Sequence, residues 1–313
     1  MKPVLSVAKW VAAVALLAWW IISITSGRTA ESITNPFVLD RADAQTFRYN
    51  GAYYFTATVP EADRIILRRS LTLAGLSTAP ESVIWSKHAA GEMSAHIWSP
   101  EIHRIRGKWY VYFTAGQANE PSAARLYVLE NPDVDPTQGA WAELGKIATS
   151  FESFSADATT FAHEGVRYLL WAQRPEGLRE AGTNLYLARM KNPSALDGPQ
   201  IAIASQVGDL DAPAFIEHGG QLFITYTANE GIGLLSAPAN ADLLKPSSWT
   251  KSARPVFEPA GHNAFLLTTD GRTDLLLYRD SNRNSRVQPF TWRDNGTPDF
   301  GTPAPDGVIQ LNR

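Results

Sequence analysis

The 313-residue chain contains no cysteine. Disulfides, thiolate metal sites and cysteine nucleophiles are therefore excluded. The chain also lacks an excess of either charge. Its 28 Lys and Arg against 31 Asp and Glu leave a formal net charge of −3. With no basic footprint, there is no basis for expecting nucleic-acid binding. Past the N-terminus there is no helical period of useful length, so the body of the chain does not read as a helical fold.

What the chain has in quantity is aromatic residues: ten Trp, ten Tyr and thirteen Phe. Aromatic faces suit sugar rings, but they equally fill β-rich cores, so the count alone does not choose between them. A hydrophobic fraction of 44% is ordinary for a globular protein and is enough for one large core or a ring of small ones.

The N-terminus stands apart. Lys2 and Lys9 flank the start of an apolar run from Trp10 to Ile24, which ends at Thr25-Ser26-Gly27. A basic start, an apolar core and small residues after it make an export signal. The run lies between the length of a signal-peptide core and that of a membrane span. Two readings of residues 1–30 follow: a cleaved signal peptide, or a retained anchor in the inner membrane. In both, the body of the chain (residues 31–313) lies outside the cytoplasm, periplasmic or secreted.

Five segments share one layout. They open at Asp43, Ser99, Asp157, Asp211 and Asn263, each with a glycine eight positions later: Gly51, Gly107, Gly165, Gly219 and Gly271. The intervals between those glycines are 56, 58, 54 and 52 residues. Each glycine divides two runs rich in alternating, β-branched or aromatic residues, the pattern of a β-hairpin. Asn50-Gly51, Gly219-Gly220 and Asp270-Gly271 are also turn pairs of the kind that tight hairpins require. A third strand follows each hairpin (RIILRRS, RLYVLEN, NLYLARM, IGLLSA and RVQPFTW), and pieces such as SVIW, WAELGKIA and PQIAIAS supply fourth strands. Three or four strands repeated five times at this period predict an all-β, five-bladed β-propeller.

In a propeller the first strand of every blade lines the central axis, and all of these strands run the same way. The opening positions of the five repeats therefore converge at one end of the channel, bringing together Asp43, Asp157 and Asp211, with His262 beside Asn263. Like charges in a partly dry pocket raise at least one pKa, giving an acid and a base in one site. Glycosidic hydrolysis needs that pair. The alternative, that each Asp only caps a turn, explains one such residue more readily than three at equivalent positions.

The segments NPFVLDRADAQ, YYFTATVPEADRIILRRS, HIWSPEIHRIRGKWYVYF, DATTFAHEGVRYLLWAQ, AGHNAF and RVQPFTWRDNGTPDFGTP, in this order from Asn35 to Pro303, resemble glycoside hydrolase family 43, in its α-L-arabinofuranosidase branch. The resemblance implies a five-bladed propeller and an inverting mechanism. It places Asp43 as general base and Asp157 as the residue that orients the acid and tunes its pKa. The family's Glu-Gly-Pro acid motif reads Asp211-Ala212-Pro213 here, so Asp211 stands where the general acid is a glutamate. The base motif Ala-Asp-Pro reads Ala42-Asp43-Ala44. His262 resembles the family histidine that points into the channel, and a structural Ca²⁺ or Na⁺ ion on the axis beside it is an expectation; no cofactor is required. Trp98, just before the second opening position, has two readings, a flat face for a sugar or ordinary core packing, and Arg286 resembles a substrate-contacting arginine.

The implied activity is release of terminal α-L-arabinofuranosyl residues from plant arabinan or arabinoxylan. The alternatives are a β-xylosidase on the same scaffold and a non-catalytic carbohydrate-binding propeller, the latter because Asp211 is one methylene shorter than the glutamate it replaces.

Overall fold

The repeats fold as antiparallel hairpins because two apolar runs meet at turns whose central residues take positive φ. Those φ angles are 48° and 73° at Asn50-Gly51, 49° and 86° at Arg106-Gly107, 48° and 78° at Glu164-Gly165, and 57° and 77° at Gly219-Gly220. Two successive positive-φ residues give the type I′ twist that matches paired strands. Glycine takes the second position without the cost a Cβ would bring. Arg106 and Glu164 occupy the first position, where their residue types give no turn signal. The fifth turn is longer, held by Thr268 N–H to Thr273 O (3.1 Å) and Gly271 N–H to Thr268 O (2.9 Å).

The computed structural model describes residues 31–178, 181–229, 231–268, 271 and 273–311. The expected signal peptide or anchor, residues 1–30, and Asp270 of the expected fifth turn pair lie outside the described residues. Among the described residues, no helix is long and apolar enough to cross a membrane.

Strand β1 (Ser32–Asn35) precedes five four-stranded sheets. Blade 1 is β2 (Ala42–Tyr49), β3 (Ala52–Thr58), β4 (Arg64–Ser70) and β5 (Ser82–Ser86). Blade 2 is β6 (Ala95–Ile105), β7 (Lys108–Gln117), β8 (Glu120–Asn131) and β9 (Ala142–Lys146). Blade 3 is β10 (Ser155–His163), β11 (Val166–Gln173), β12 (Asn184–Asn192) and β13 (Ala195–Ala204). Blade 4 is β14 (Asp211–His218), β15 (Gln221–Ala228), β16 (Gly231–Pro238) and β17 (Thr250–Lys251). Blade 5 is β18 (Gly261–Leu267), β19 (Asp274–Arg279), β20 (Ser285–Trp292) and β21 (Pro298–Asp299), followed by β22 (Gly307–Gln310). Strands pair in chain order within each blade. The first strands β2, β6, β10, β14 and β18 pack on one another round a ring that closes between β18 and β2. The five-bladed propeller read from the repeat is therefore present.

The core is five clusters, each wedged between two neighbouring blades. Between blades 1 and 2, Trp109 is fully buried, with the rings of Phe47, Tyr49 and Tyr54 5.1–5.7 Å from its own. Among the described residues no blade borrows a strand from the other end of the chain. Closure instead comes from β1, which pairs antiparallel with β22, and from the Val38–Ser285 bridge. The Asn35 side chain completes the clasp: its Nδ2 donates to Val287 O (2.8 Å), and its Oδ1 accepts from Val287 N–H (2.9 Å).

Asn35 is 1% exposed, so its removal leaves two buried backbone groups of β20 without partners. Asn35→Ala should cost about 2–4 kcal/mol, read as a lower urea midpoint at unchanged slope. An unchanged midpoint would show that the clasp does not hold the ring.

Candidate active site

Every inner strand carries a β-bulge near its start, and the bulged residue takes positive φ: Asp43 (52°), Ser99 (47°), Asp157 (56°), Ala212 (47°) and His262 (38°). A non-glycine residue there carries a cost on the order of 1 kcal/mol. The bulge re-aims the side chain out of the strand's normal alternation. The equivalent residues of blades 4 and 5 are thus Ala212 and His262, one position away from the equivalence with Asp211 and Asn263 expected from the spacing. In blade 4 the second turn residue is Gly220 rather than Gly219, which moves the register by one.

The bulges are tied together by a repeated clamp. The residue before each bulge pairs across the hairpin with Thr58, Thr114, Ala172, Thr227 or Arg279, in blade order. Where this partner is threonine, its hydroxyl accepts the N–H of the next blade's bulge. Ser99 N–H reaches Thr58 Oγ1 (2.8 Å), Asp157 N–H reaches Thr114 Oγ1 (3.1 Å), and His262 N–H reaches Thr227 Oγ1 (2.8 Å). Two positions depart from the pattern. Ala172 has no hydroxyl, and the Ala212 N–H donates instead to Asp157 Oδ2 (3.1 Å). Arg279 meets the Asp43 side chain, its Nε 3.2 Å from Oδ1. That contact is an ion pair whose Nε–H does not point at the oxygen, since among the described residues Arg279 Nε makes no hydrogen bond.

A cavity of about 370 Å³ opens at this end of the axis. The bulge residues Asp43, Ser99, Asp157 and His262 line it, together with Trp98, Ala156 and Asp211 from the position before the bulge. Phe154, Arg174, Thr183 and Asp209 form a wall from blade 3 and its connection to blade 4, and Arg279 and Arg283 a wall from blade 5. The three predicted aspartates therefore converge on one cavity, with Asp211 supplied from a different register position than the other two. His262 Nδ1 lies 3.7 Å from Asp43 Oδ1.

Burial pushes the Asp211 carboxyl up to about 8, with the neighbouring charges of Asp157 and Asp209 acting in the same direction and Arg279 against it. Burial also raises Asp157, against the opposing pull of His262, the Ser99 hydroxyl and the Ala212 amide. At neutral pH the cavity therefore holds a protonated carboxyl on Asp211, in the same space as Asp43 with its guanidinium counter-ion.

Trp98 is half-buried and lines the cavity, with its ring 4.7 Å from that of His96. Arg286 does not line it. Its Nη1 lies 2.8 Å from Asp306 Oδ1 and 3.4 Å from Asp280 Oδ2, and its Nη2 donates to Ala304 O (3.0 Å). The guanidinium is thus held by the loop after β19 and by the segment between β21 and β22, outside the lining of the cavity. The arginines at the cavity are Arg174, Arg279 and Arg283, which sequence reasoning missed along with Asp209. For Arg279 a signal exists, since it stands where three other repeats carry threonine. Among the described residues no three His, Asp or Glu side chains are gathered to hold a metal ion. The Ca²⁺ or Na⁺ ion expected beside His262 therefore has no ready-made set of three such ligands among the described residues.

A propeller whose hub presents one protonated and one ion-paired carboxyl to a sugar-sized cavity has the equipment of a glycosidase. The model of the glycosyl hydrolases family 43 matches residues 33–298, and the chain belongs to that family. An extracellular exo-α-(1→5)-L-arabinofuranosidase of Streptomyces avermitilis is 45% identical to it, over 96% of this chain and 70% of that protein. A Streptomyces chartreusis protein of the same description is 47% identical, over 78% of this chain and 81% of its own length. Among solved structures, the α-L-arabinofuranosidase from Lactobacillus brevis is 36% identical and superposes with a TM-score of 0.83, over 88% of this chain and 98% of that one.

Asp211 holds its proton to about pH 8 in the folded state, whereas an unfolded aspartate loses it near 3.9. Between those values the folded state binds a proton that the unfolded state does not, so this residue makes stability fall as pH rises. Asp211→Asn removes that fall. The variant should exceed the wild type in stability at pH 7–8, with the gap closing toward pH 4, as measured by urea unfolding at several pH values. A gap that does not vary with pH would contradict the protonated carboxyl.

Proposed function

We propose that the chain is an exported, inverting, exo-acting α-L-arabinofuranosidase that removes terminal arabinofuranosyl residues from arabinan- or arabinoxylan-type polysaccharides. The observation that carries the chemistry is the contrast between Asp211, a carboxyl that keeps its proton, and Asp43, a carboxyl paired with Arg279, in one cavity. The sugar specificity rests on the relatives, which are named arabinofuranosidases, and the export on their description as extracellular together with the N-terminal apolar run.

In this reading Asp211 is the general acid. It gives its proton to the glycosidic oxygen as the bond from that oxygen to the anomeric carbon breaks. Asp43 is the general base and takes a proton from the water that attacks the anomeric carbon from the opposite face. The products are a free arabinose of inverted configuration and the shortened chain, with the acid left ionised and the base protonated until they exchange with solvent. Asp157 keeps Asp211 protonated through its charge and holds the adjoining backbone through the Ala212 amide. Trp98 offers a flat face to the sugar.

The test is hydrolysis of aryl α-L-arabinofuranosides whose leaving groups differ in basicity. Asp211→Asn should lower kcat/KM by about 10²–10⁴-fold on a poor leaving group and far less on a dinitrophenolate, which needs no proton. The wild-type rate should fall above about pH 8, where Asp211 ionises. Equal losses on both substrates would remove Asp211 from the acid role. No release from the arabinofuranosides, with release from an aryl β-xyloside, would move the substrate to xylose.

A further inference from the structure

Four of the bulge residues meet an acceptor for their amide N–H across a blade boundary, as a backbone N–H drawn out of water requires. Three of these amides find a threonine hydroxyl of the preceding blade. The Ala212 amide cannot, because the clamp position before it is Ala172, which carries no hydroxyl. Its acceptor is Asp157 Oδ2, at 3.1 Å. Asp157 is thus tied on both sides: its own N–H donates to Thr114 of blade 2, and its carboxylate accepts from blade 4. The amide it accepts belongs to the residue directly after Asp211.

We propose that Ala172 is a positioning residue: by withholding a hydroxyl at the clamp between blades 3 and 4, it commits the Asp157 carboxylate to the Ala212 amide and so fixes the backbone that carries Asp211. Ala172 touches no substrate and acts through Asp157. A hydroxyl at 172 restores the pattern of the other blades, takes the Ala212 amide and releases Asp157 Oδ2. The released carboxylate loses a hydrogen bond that favours its charged form, so it is neutral over a wider pH range. Asp211 then loses part of the negative charge that keeps its own proton in place. The catalytic consequence rests on the assignment of Asp211 as general acid; the tether itself does not.

The experiment compares Ala172→Thr with Ala172→Val, which has the same shape without the hydroxyl, in the full chain. Ala172→Ser, with one added atom, takes the place of the threonine variant if the branched pair fails to fold. The first readout is the pH dependence of the Ala212 amide resonance in ¹H–¹⁵N spectra. It should follow a carboxylate titration in the wild type and in Ala172→Val, and should flatten in Ala172→Thr. The second readout is hydrolysis of an aryl α-L-arabinofuranoside. In Ala172→Thr, kcat should fall on the order of tenfold with KM within about twofold, and the alkaline limb should move to lower pH; Ala172→Val should keep the wild-type limb. An Ala212 amide that titrates identically in the threonine variant would overturn the proposal, as would equal kcat losses in Thr and Val with no change in the limb. A wild type inactive on arabinofuranosides would sink the proposed function, while the amide titration would still decide the tether.

Discussion

The bulge at the start of each inner strand is the constraint on which the hub depends. It holds a non-glycine residue at positive φ in every blade, a conformation that persists only where the surroundings over-determine it. The surroundings here are the neighbouring blade. In blades 2 to 5 the bulge amide finds its acceptor across the blade boundary, and in blade 1 the Asp43 side chain is met there by Arg279. The same device turns Asp43, Ser99, Asp157 and His262 toward one cavity. Packing between blades builds the ring, and the clamps fix the geometry at its mouth.

Chemistry arises where this fivefold pattern is broken. A uniform ring of threonine clamps would leave the hub carboxylates without distinct partners. Two substitutions at the clamp position distinguish them. Arg279 gives Asp43 a counter-ion, and Ala172 turns Asp157 into an acceptor for blade 4. Asp211 comes from the position before the bulge, in the same register as Trp98 and Ala156, and lies where burial and the charges of Asp157 and Asp209 keep its proton on. Three identical side chains thus receive three environments from one repeated element.

Much of this was legible in the sequence. Hairpins announce themselves through glycine at a fixed offset, because positive φ at the second turn position is costly for any other residue. Convergence of the aspartates followed from the repeat alone. The blade 4 register was misread because Gly219-Gly220 offers two glycines and only the second occupies the equivalent turn position, which makes Ala212 the bulge residue. The bulges themselves were invisible, since Ser99, Ala212 and His262 are not residue types that ask for positive φ. The surroundings of Arg286 were not legible, because a guanidinium near a hub motif says nothing about which acids it meets, and it meets Asp280 and Asp306. Arg174 sits in the loop between β11 and β12 and Asp209 on the connection between blades 3 and 4, where no periodicity guides a reading. The closure through β1 and β22 was equally hidden, since it joins segments nearly the whole chain apart.

The broken ring sets Asp211 apart as the carboxyl that stays protonated. The most direct test is the side-chain carboxyl titration of the aspartates by ¹³C NMR. Asp211 should titrate near 8, and lower once Asp157→Asn removes the neighbouring charge. A titration of Asp211 near the ordinary aspartate value of about 3.9, unmoved by Asp157→Asn, would contradict the account.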